Sequence, residues 1–268
     1  MTSTKWGITP RDELVPEWIK APNQDDEDLR MAVYAAQIDC LDQNIGRVLR
    51  KVKDLGQEDD TLIMFLSDNG GCAEEGIKGE KPVPAGPADS FTSYGRPWAN
   101  ASNTPFRLYK HWVHEGGIAT PFIAYWPSVI KKGGSLHHDR AHIIDLHATV
   151  LDAAGVAHPD KYQGHAVLPL EGLSLLPTFE GKTRQLHENI FWEHSGNRAM
   201  RQGDWKLVSK FPNTWELYDL AADRTELHNL APAHPDRIES MKAAYEAWMK
   251  RCNVVPWDQL KKKGKDQG

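Results

Sequence analysis

Two short apolar runs constrain the fold of this chain more than any other feature. Residues 61–66 (TLIMFL) and 121–126 (PFIAYW) carry no polar alternation, so each reads as a strand with apolar side chains on both faces. The first ends in Ser67-Asp68-Asn69-Gly70-Gly71; the second follows Glu115-Gly116-Gly117 and stops at Pro127. Such strands need neighbours, and an open α/β sheet normally has about five or more. Only these two are legible in residues 1–185. The physical expectation is a piece of a larger α/β sheet whose other strands come from elsewhere. Ligands in open α/β sheets sit at the carboxyl ends of strands, which directs attention to the loop at 67–71.

The surrounding segments are helical or irregular. Residues 1–27, with Pro10, Pro16, Pro22 and the acids Asp25, Asp26 and Glu27, read as surface chain leading into a helix. From Asp28 onward Ile38, Leu41, Ile45, Val48, Leu49, Val52 and Leu55 recur at helical spacing, with Gly56 as cap. Residues 72–105 are rich in Gly, Pro, Ser and Asn, and a loop of that length is usually functional or mobile. A second helix is predicted over 143–154, before Gly155. Beyond residue 186 the texture changes to short strands at 189–193, 198–201, 205–209 and 216–219, separated by the turn signals Ser195-Gly196-Asn197, Gly203-Asp204 and Pro212-Asn213. A final helix over 235–251, with Ile238, Met241, Tyr245 and Trp248 on one face, is expected to cover that sheet. The predicted organisation is an α/β part over 1–185 and an antiparallel sheet-plus-helix subdomain over 186–268.

Composition narrows the partners. The 268 residues carry a net charge of -5, which gives no electrostatic reason to expect nucleic acid or an anionic membrane as partner, since those need a clustered basic surface. No apolar run approaches the roughly 18 residues that span a bilayer. The first 30 residues hold no apolar core of a secretory signal, which leaves the compartment open between cytoplasm and periplasm. Cys40, Cys72 and Cys252 fit no C-x-x-C pattern, and structural disulfides are not expected. The ten tryptophans read first as packing anchors, with a stacking surface for a ring as the alternative.

Two loops carry candidate chemistry. Asp68 and Asn69 are adjacent hard oxygen donors after a strand, which suits Ca²⁺ or Mg²⁺; an ordinary Asx turn is the competing reading. Residues 103–117 (NTPFRLYKHWVHEGG) bring Arg107, Lys110, His111, His114 and Glu115 just ahead of the second strand. Cations there suit an anionic ester; the alternative is a solvated loop.

Taken together, SDNGG, then K-x-x-x-x-E-G-G, then a hydrophobic strand resembles the sulfatases of the alkaline-phosphatase-like superfamily. The resemblance continues through MAVYAAQIDCLDQNIGRVL (31–49), DLHATVLDAAGV (145–156), LPLEGLSLLP (168–177), FWEHSGNRAMRQGDWKLV (191–208) and WELYDLAADRTELHNLA (215–231). It implies a partial alkaline-phosphatase-like α/β fold and hydrolysis of sulfate esters. By the same resemblance Asp68 and Asn69 ligate a divalent cation, usually Ca²⁺ with Mg²⁺ possible, and Lys110 is the catalytic and substrate-binding residue that contacts sulfate oxygens. Metal and lysine would neutralise charge on the sulfate as its S–O bond breaks. Glu115, Gly116 and Gly117 read as structural, and His111 and His114 as packing or surface residues.

The sequence also departs from the family. Sulfatases attack with a formylglycine made from a C-x-P-S-R or S-x-P-S-R motif, and no cysteine or serine here stands in that context: Cys40 begins CLDQN, Cys72 CAEEG and Cys252 CNVVP. Two further metal carboxylates and the lysine and histidines that assist the leaving group are absent as well. The chain is therefore expected to be the C-terminal half of a sulfatase, inactive alone, with the missing N-terminal half as partner. A phosphodiesterase or phosphonate monoester hydrolase of the same superfamily and a non-catalytic binding fragment remain alternatives. Aryl, sugar and choline-type sulfate esters all stay open as substrate.

Overall fold

The computed structural model describes residues 6–74 and 84–260. Its longest element is α1 (Gln24–Asp54), 31 residues with Asp25, Asp26 and Glu27 in the first turn. Carboxylates there face the positive end of the helix dipole, so the acidic run is the opening turn of the helix and not lead-in chain. Gly56, at φ 67°, follows the helix end. Next come β1 (Ile63–Leu66), α2 (Gly95–Ser102), α3 (Glu115–Ile118), β2 (Phe122–Tyr125), α4 (Ile144–Ala153), β3 (Lys161–Tyr162), β4 (His165–Ala166) and α5 (Leu176–Phe179). The chain closes with β5 (Asn189–His194), β6 (Asn197–Gln202), β7 (Trp205–Ser209), β8 (Glu216–Asp219) and α6 (Pro235–Arg251). Among the described residues no helix is long and apolar enough to cross a membrane. All three cysteines are free thiols.

These elements gather into two units, one built from residues 44–66 and 121–190 and the other from 1–43, 67–120 and 191–268. In the first, β1 and β2 form a two-stranded antiparallel ladder with Ile63 opposite Tyr125 and Leu66 opposite Phe122. The expectation of burial on both faces is not met: Phe65 is 43% exposed and Ile123 59%. A two-stranded ladder has no further strand to cover it, so its apolar residues stay in contact with solvent.

The same unit is held by a polar hub. Asp145, fully buried in the first turn of α4, accepts hydrogen bonds from His142 N at 2.9 Å and Leu173 N at 2.8 Å, and pairs with His187 Nε2 at 2.6 Å. One carboxylate thus ties the start of α4 to the loop before α5 and to the approach to β5. Asp145→Ala would leave three half-buried partners without their acceptor, and we expect it to cost about 3 kcal/mol, read from urea melts. Asp145→Asn, which keeps one accepting oxygen, should cost less; a loss under about 1 kcal/mol for the alanine variant would show that the hub is dispensable.

In the second unit β5 to β8 form an antiparallel sheet in sequence order. Alternation at period two sorts its residues onto two faces. Met200, Leu207 and Leu217 pack against Met241 and Tyr245 of α6, and all five are at most 1% exposed. Burying each apolar side chain of that size contributes roughly 1.5–3 kcal/mol, which makes this the unit's main hydrophobic anchor. Ala199, Val208 and Tyr218 point the other way and pack with Val113 and Ile118. That face therefore carries the segment leading into and through α3, and α3 sits on a rigid sheet.

Candidate functional site

The two loops singled out by sequence are sewn together through their backbones. Gly70 N donates to Gly117 O at 3.0 Å, Lys110 N donates to Gly71 O at 3.0 Å, and Gly71 N donates to Asn103 Oδ1 at 3.1 Å. The approach is so close that side chains are excluded. A Cβ on Gly70 would lie 1.9 Å from Gly116 O, and one on Gly117 would lie 1.9 Å from Trp112 O. Backbone-to-backbone packing of this kind is the physical reason for paired glycines in both SDNGG and EGG.

On this frame Asp68 is exposed and Asn69 half-buried, and neither side chain has a hydrogen-bond or ion-pair partner among the described residues. Ser67 Oγ instead closes the turn onto Asn69 O at 2.8 Å. A carboxylate and an amide oxygen left unpaired on neighbouring residues fit a hard divalent cation as two of its ligands. They fall short of the six to eight that Ca²⁺ takes. Among the described residues no group of three or more His, Cys, Asp or Glu is arranged to hold a metal.

Lys110 projects from the facing loop. Its Nζ donates to Glu74 Oε2 at 3.0 Å and lies 3.7 Å from Cys72 Sγ. The hydrogen bond from Lys110 holds the Glu74 carboxyl below its usual range, and Glu74 in turn raises Lys110, so the ammonium stays charged. The other cations of this loop are committed elsewhere. Arg107 Nη1 reaches Glu216 Oε2 at 2.7 Å and Tyr218 Oη at 3.0 Å, and His114, fully buried, lies with Nε2 3.5 Å from the same carboxylate. Burial opposes ionisation of Glu216, yet hydrogen bonds from His114, Arg107 and Tyr218 hold its pKa down at about 2.

Beneath α3 lies a charged cluster that the sequence reading did not single out beyond Glu115. Lys206 Nζ, fully buried, is 2.9 Å from both Glu115 Oε1 and Glu226 Oε1, and Arg224 Nε is 3.3 Å from Glu115 Oε2. Glu115 N donates to Glu226 Oε2 at 2.8 Å. Desolvation disfavours the Glu115 carboxylate, but Lys206, Arg224 and Arg201 overrule it and hold the group ionised below the ordinary range. Lys206, Glu216 and Tyr218 lie on the sheet face opposite Leu207 and Leu217, and that parity is the one sequence signal that bears on them.

The architecture and its relatives define the class. A crystallised sulfatase from Pseudoalteromonas superposes with a TM-score of 0.53 at 21% identity, over 76% of this chain and 40% of its own, which identifies the alkaline-phosphatase-like fold. The sulfatase family pattern matches residues 14–156, and that of N-sulphoglucosamine sulphohydrolase, C-terminal, matches residues 106–251. This chain belongs to the sulfatase family. A sulfatase of Schizosaccharomyces pombe is 36% identical over 82% of this chain and 42% of its own length. An arylsulfatase of Klebsiella aerogenes is 32% identical over 65% and 40%. The chain thus spans less than half the length of these curated relatives.

Proposed function

We propose that this chain forms the part of an arylsulfatase-type sulfuric ester hydrolase that supplies two oxygen ligands to a divalent cation, Asp68 and Asn69, and one cation to the sulfate, Lys110. The observation that carries the reading is the backbone seam between Gly70-Gly71 and Lys110 with Gly117, which sets a loop of hard oxygen donors beside a loop bearing a charged amine. When bound, Ca²⁺ or Mg²⁺ would act as a Lewis acid on the sulfate. Lys110 would leave Glu74 and hydrogen-bond a sulfate oxygen that gains charge as the S–O bond breaks. The rest of the metal shell and the formylglycine nucleophile are assigned to polypeptide beyond these residues, because no C-x-P-S-R or S-x-P-S-R motif occurs among them.

The 268-residue chain on its own should accordingly show no aryl sulfate turnover above buffer and only weak calcium binding, because positioned charges without a nucleophile have nothing to attack with. Turnover assays and calorimetry test this. Micromolar calcium affinity in the chain alone, or metal-dependent turnover lost on Lys110→Ala, would refute the division of labour. In a chain joined to an upstream half bearing the nucleophile, preference for an aryl phosphonate over an aryl sulfate would move the assignment to phosphonate monoester hydrolysis.

A further inference from the structure

The residue after Lys110 is held in a backbone shape that side-chain-bearing residues rarely adopt. His111 has φ 92°, and Leu108 in the same loop has φ 65°. Such residues persist only where their surroundings impose them, and they gather at sites that bind or react. Asn197, 1% exposed, lies against His111. Its Nδ2 lies 3.4 Å from both His111 Nε2 and His111 O and donates to His194 O at 3.0 Å, while its Oδ1 accepts from Phe211 N at 3.0 Å. One buried amide thereby locks the Lys110 loop to the end of β5 and leaves two exposed imidazoles edge to face, their centroids 5.0 Å apart.

Two carboxylates and two ammonium groups surround this pair. Glu74, the carboxylate that holds Lys110, also acts electrostatically on His111, so the imidazole and the ammonium flank the same group. Trp112 packs edge-on to His111 at 4.7 Å and carries Lys210 Nζ 4.5 Å above its ring. Glu193, next to His194 on β5, accepts at Oε1 from Gly196 N at 2.8 Å. Both carboxylates are engaged, Glu74 by Lys110 and Glu193 by Gly196 N, which leaves the two imidazoles as the exposed protonatable groups beside Lys110.

We infer that His111 and His194 form a subsite for a second anionic group, a sulfate or carboxylate carried by the same molecule whose sulfate Lys110 holds. The inference rests on the reading of Lys110 as the sulfate-binding cation. It selects substrates with two negative groups over those with one. Partial desolvation of this otherwise exposed ring, and then the neighbouring His194 ring, keep His111 below the ordinary imidazole range against the opposing pull of Glu74, so the ring takes up its proton as an anion arrives or as pH falls. Preference for the doubly charged ligand therefore grows toward acid and fades above neutrality.

The test titrates methyl sulfate and propane-1,3-disulfonate into the full chain, following the histidine Cε1–H and lysine Cε–H resonances. At pH 6 the disulfonate should bind roughly three- to tenfold more tightly than methyl sulfate, an advantage that shrinks toward unity by pH 8. The variant His111→Asn with His194→Gln should abolish the advantage; Asn tolerates positive φ, so the loop keeps its shape. His194→Gln alone, which leaves the Asn197 clamp on His111 intact, should reduce it. Equal affinity for the two probes at pH 6, with methyl sulfate still dependent on Lys110, overturns the subsite and leaves the role of Lys110 standing. An advantage retained in the double variant does the same. Absence of binding, or binding of both probes that ignores Lys110→Ala, overturns the role of Lys110 and the subsite with it.

Discussion

Lys110→Ala, made in a chain joined to an upstream half that carries the nucleophile, is expected to lower kcat/KM for an aryl sulfate by a factor on the order of 10²–10³, the range for removal of one donor that stabilises transition-state charge. The loss should fall mainly on kcat. In the ground state a sulfate monoester already shares its charge over three oxygens, and Lys110 must give up Glu74 at 3.0 Å to reach it, so ground-state binding gains little. On the proposed role of Lys110, the ammonium would face the oxygen that gains charge as the S–O bond breaks, from a loop that the backbone seam already positions. Lys110→Arg keeps the charge but not the compact geometry of the ammonium, and should recover only part of the rate. A Lys110→Ala enzyme within threefold of its parent would remove Lys110 from the site.

The largest stability effect is expected from Lys206→Ala, about 3–5 kcal/mol, because two buried carboxylates, Glu115 and Glu226, would lose the cation 2.9 Å from each. The pH dependence separates this mechanism from a simple packing loss. In the parent, Glu115 is depressed below its ordinary range and Glu216 sits at about 2, so their contributions are fully present above the unfolded value near 4.5 and are lost as pH falls toward 2. In the variant Glu115, left with Arg224 and Arg201 but without its main cation, is penalised more when ionised and relieved when protonated. The stability gap between parent and variant should therefore narrow between pH 7 and pH 4, as read from chemical denaturation at each pH. A gap that stays constant over that range would assign the loss to the cavity left by the lysine side chain, and the ion cluster would lose its structural role.

The sequence located most elements because their signals are local. The final helix is found over Pro235–Arg251 as expected, with Met241 and Tyr245 buried on the predicted face, and β5 to β8 form the antiparallel sheet that the turn residues announced. The acidic start of α1 reads as surface chain because Asp25, Asp26 and Glu27 carry no apolar period; the helix dipole favours carboxylates in this turn, and the Asp26–Arg30 pair and the bond from Trp98 to Glu27 O support it. The two apolar strands were placed correctly, but their exposure was not foreseen, since a both-faces-apolar pattern reports what a strand is suited to and not what covers it. The cluster around Lys206 was missed for a different reason. Charged residues read by default as solvated, and their pairing depends on contacts across about 90 to 110 positions that no local pattern encodes. Asn197 likewise looked like turn chemistry, and its service as a buried clamp on His111 emerges only once β5 and the Lys110 loop are neighbours.

The sheet that backs α3 has a bearing on the order in which the molecule is made. During synthesis Lys110 and His111 emerge well before their supports: Asn197 lies 86 residues after His111, Lys206 lies 91 after Glu115, and Arg224 lies 109 after Glu115. Until β6 and β7 have left the ribosome, His111 lacks its contacts with Asn197 and Glu115 lacks Lys206. The seam of residues 70–117 that carries the amine can thus form before the sheet that backs it, and a nascent chain stopped short of β7 holds Asp68, Asn69 and Lys110 without the cation that neutralises Glu115 beneath them.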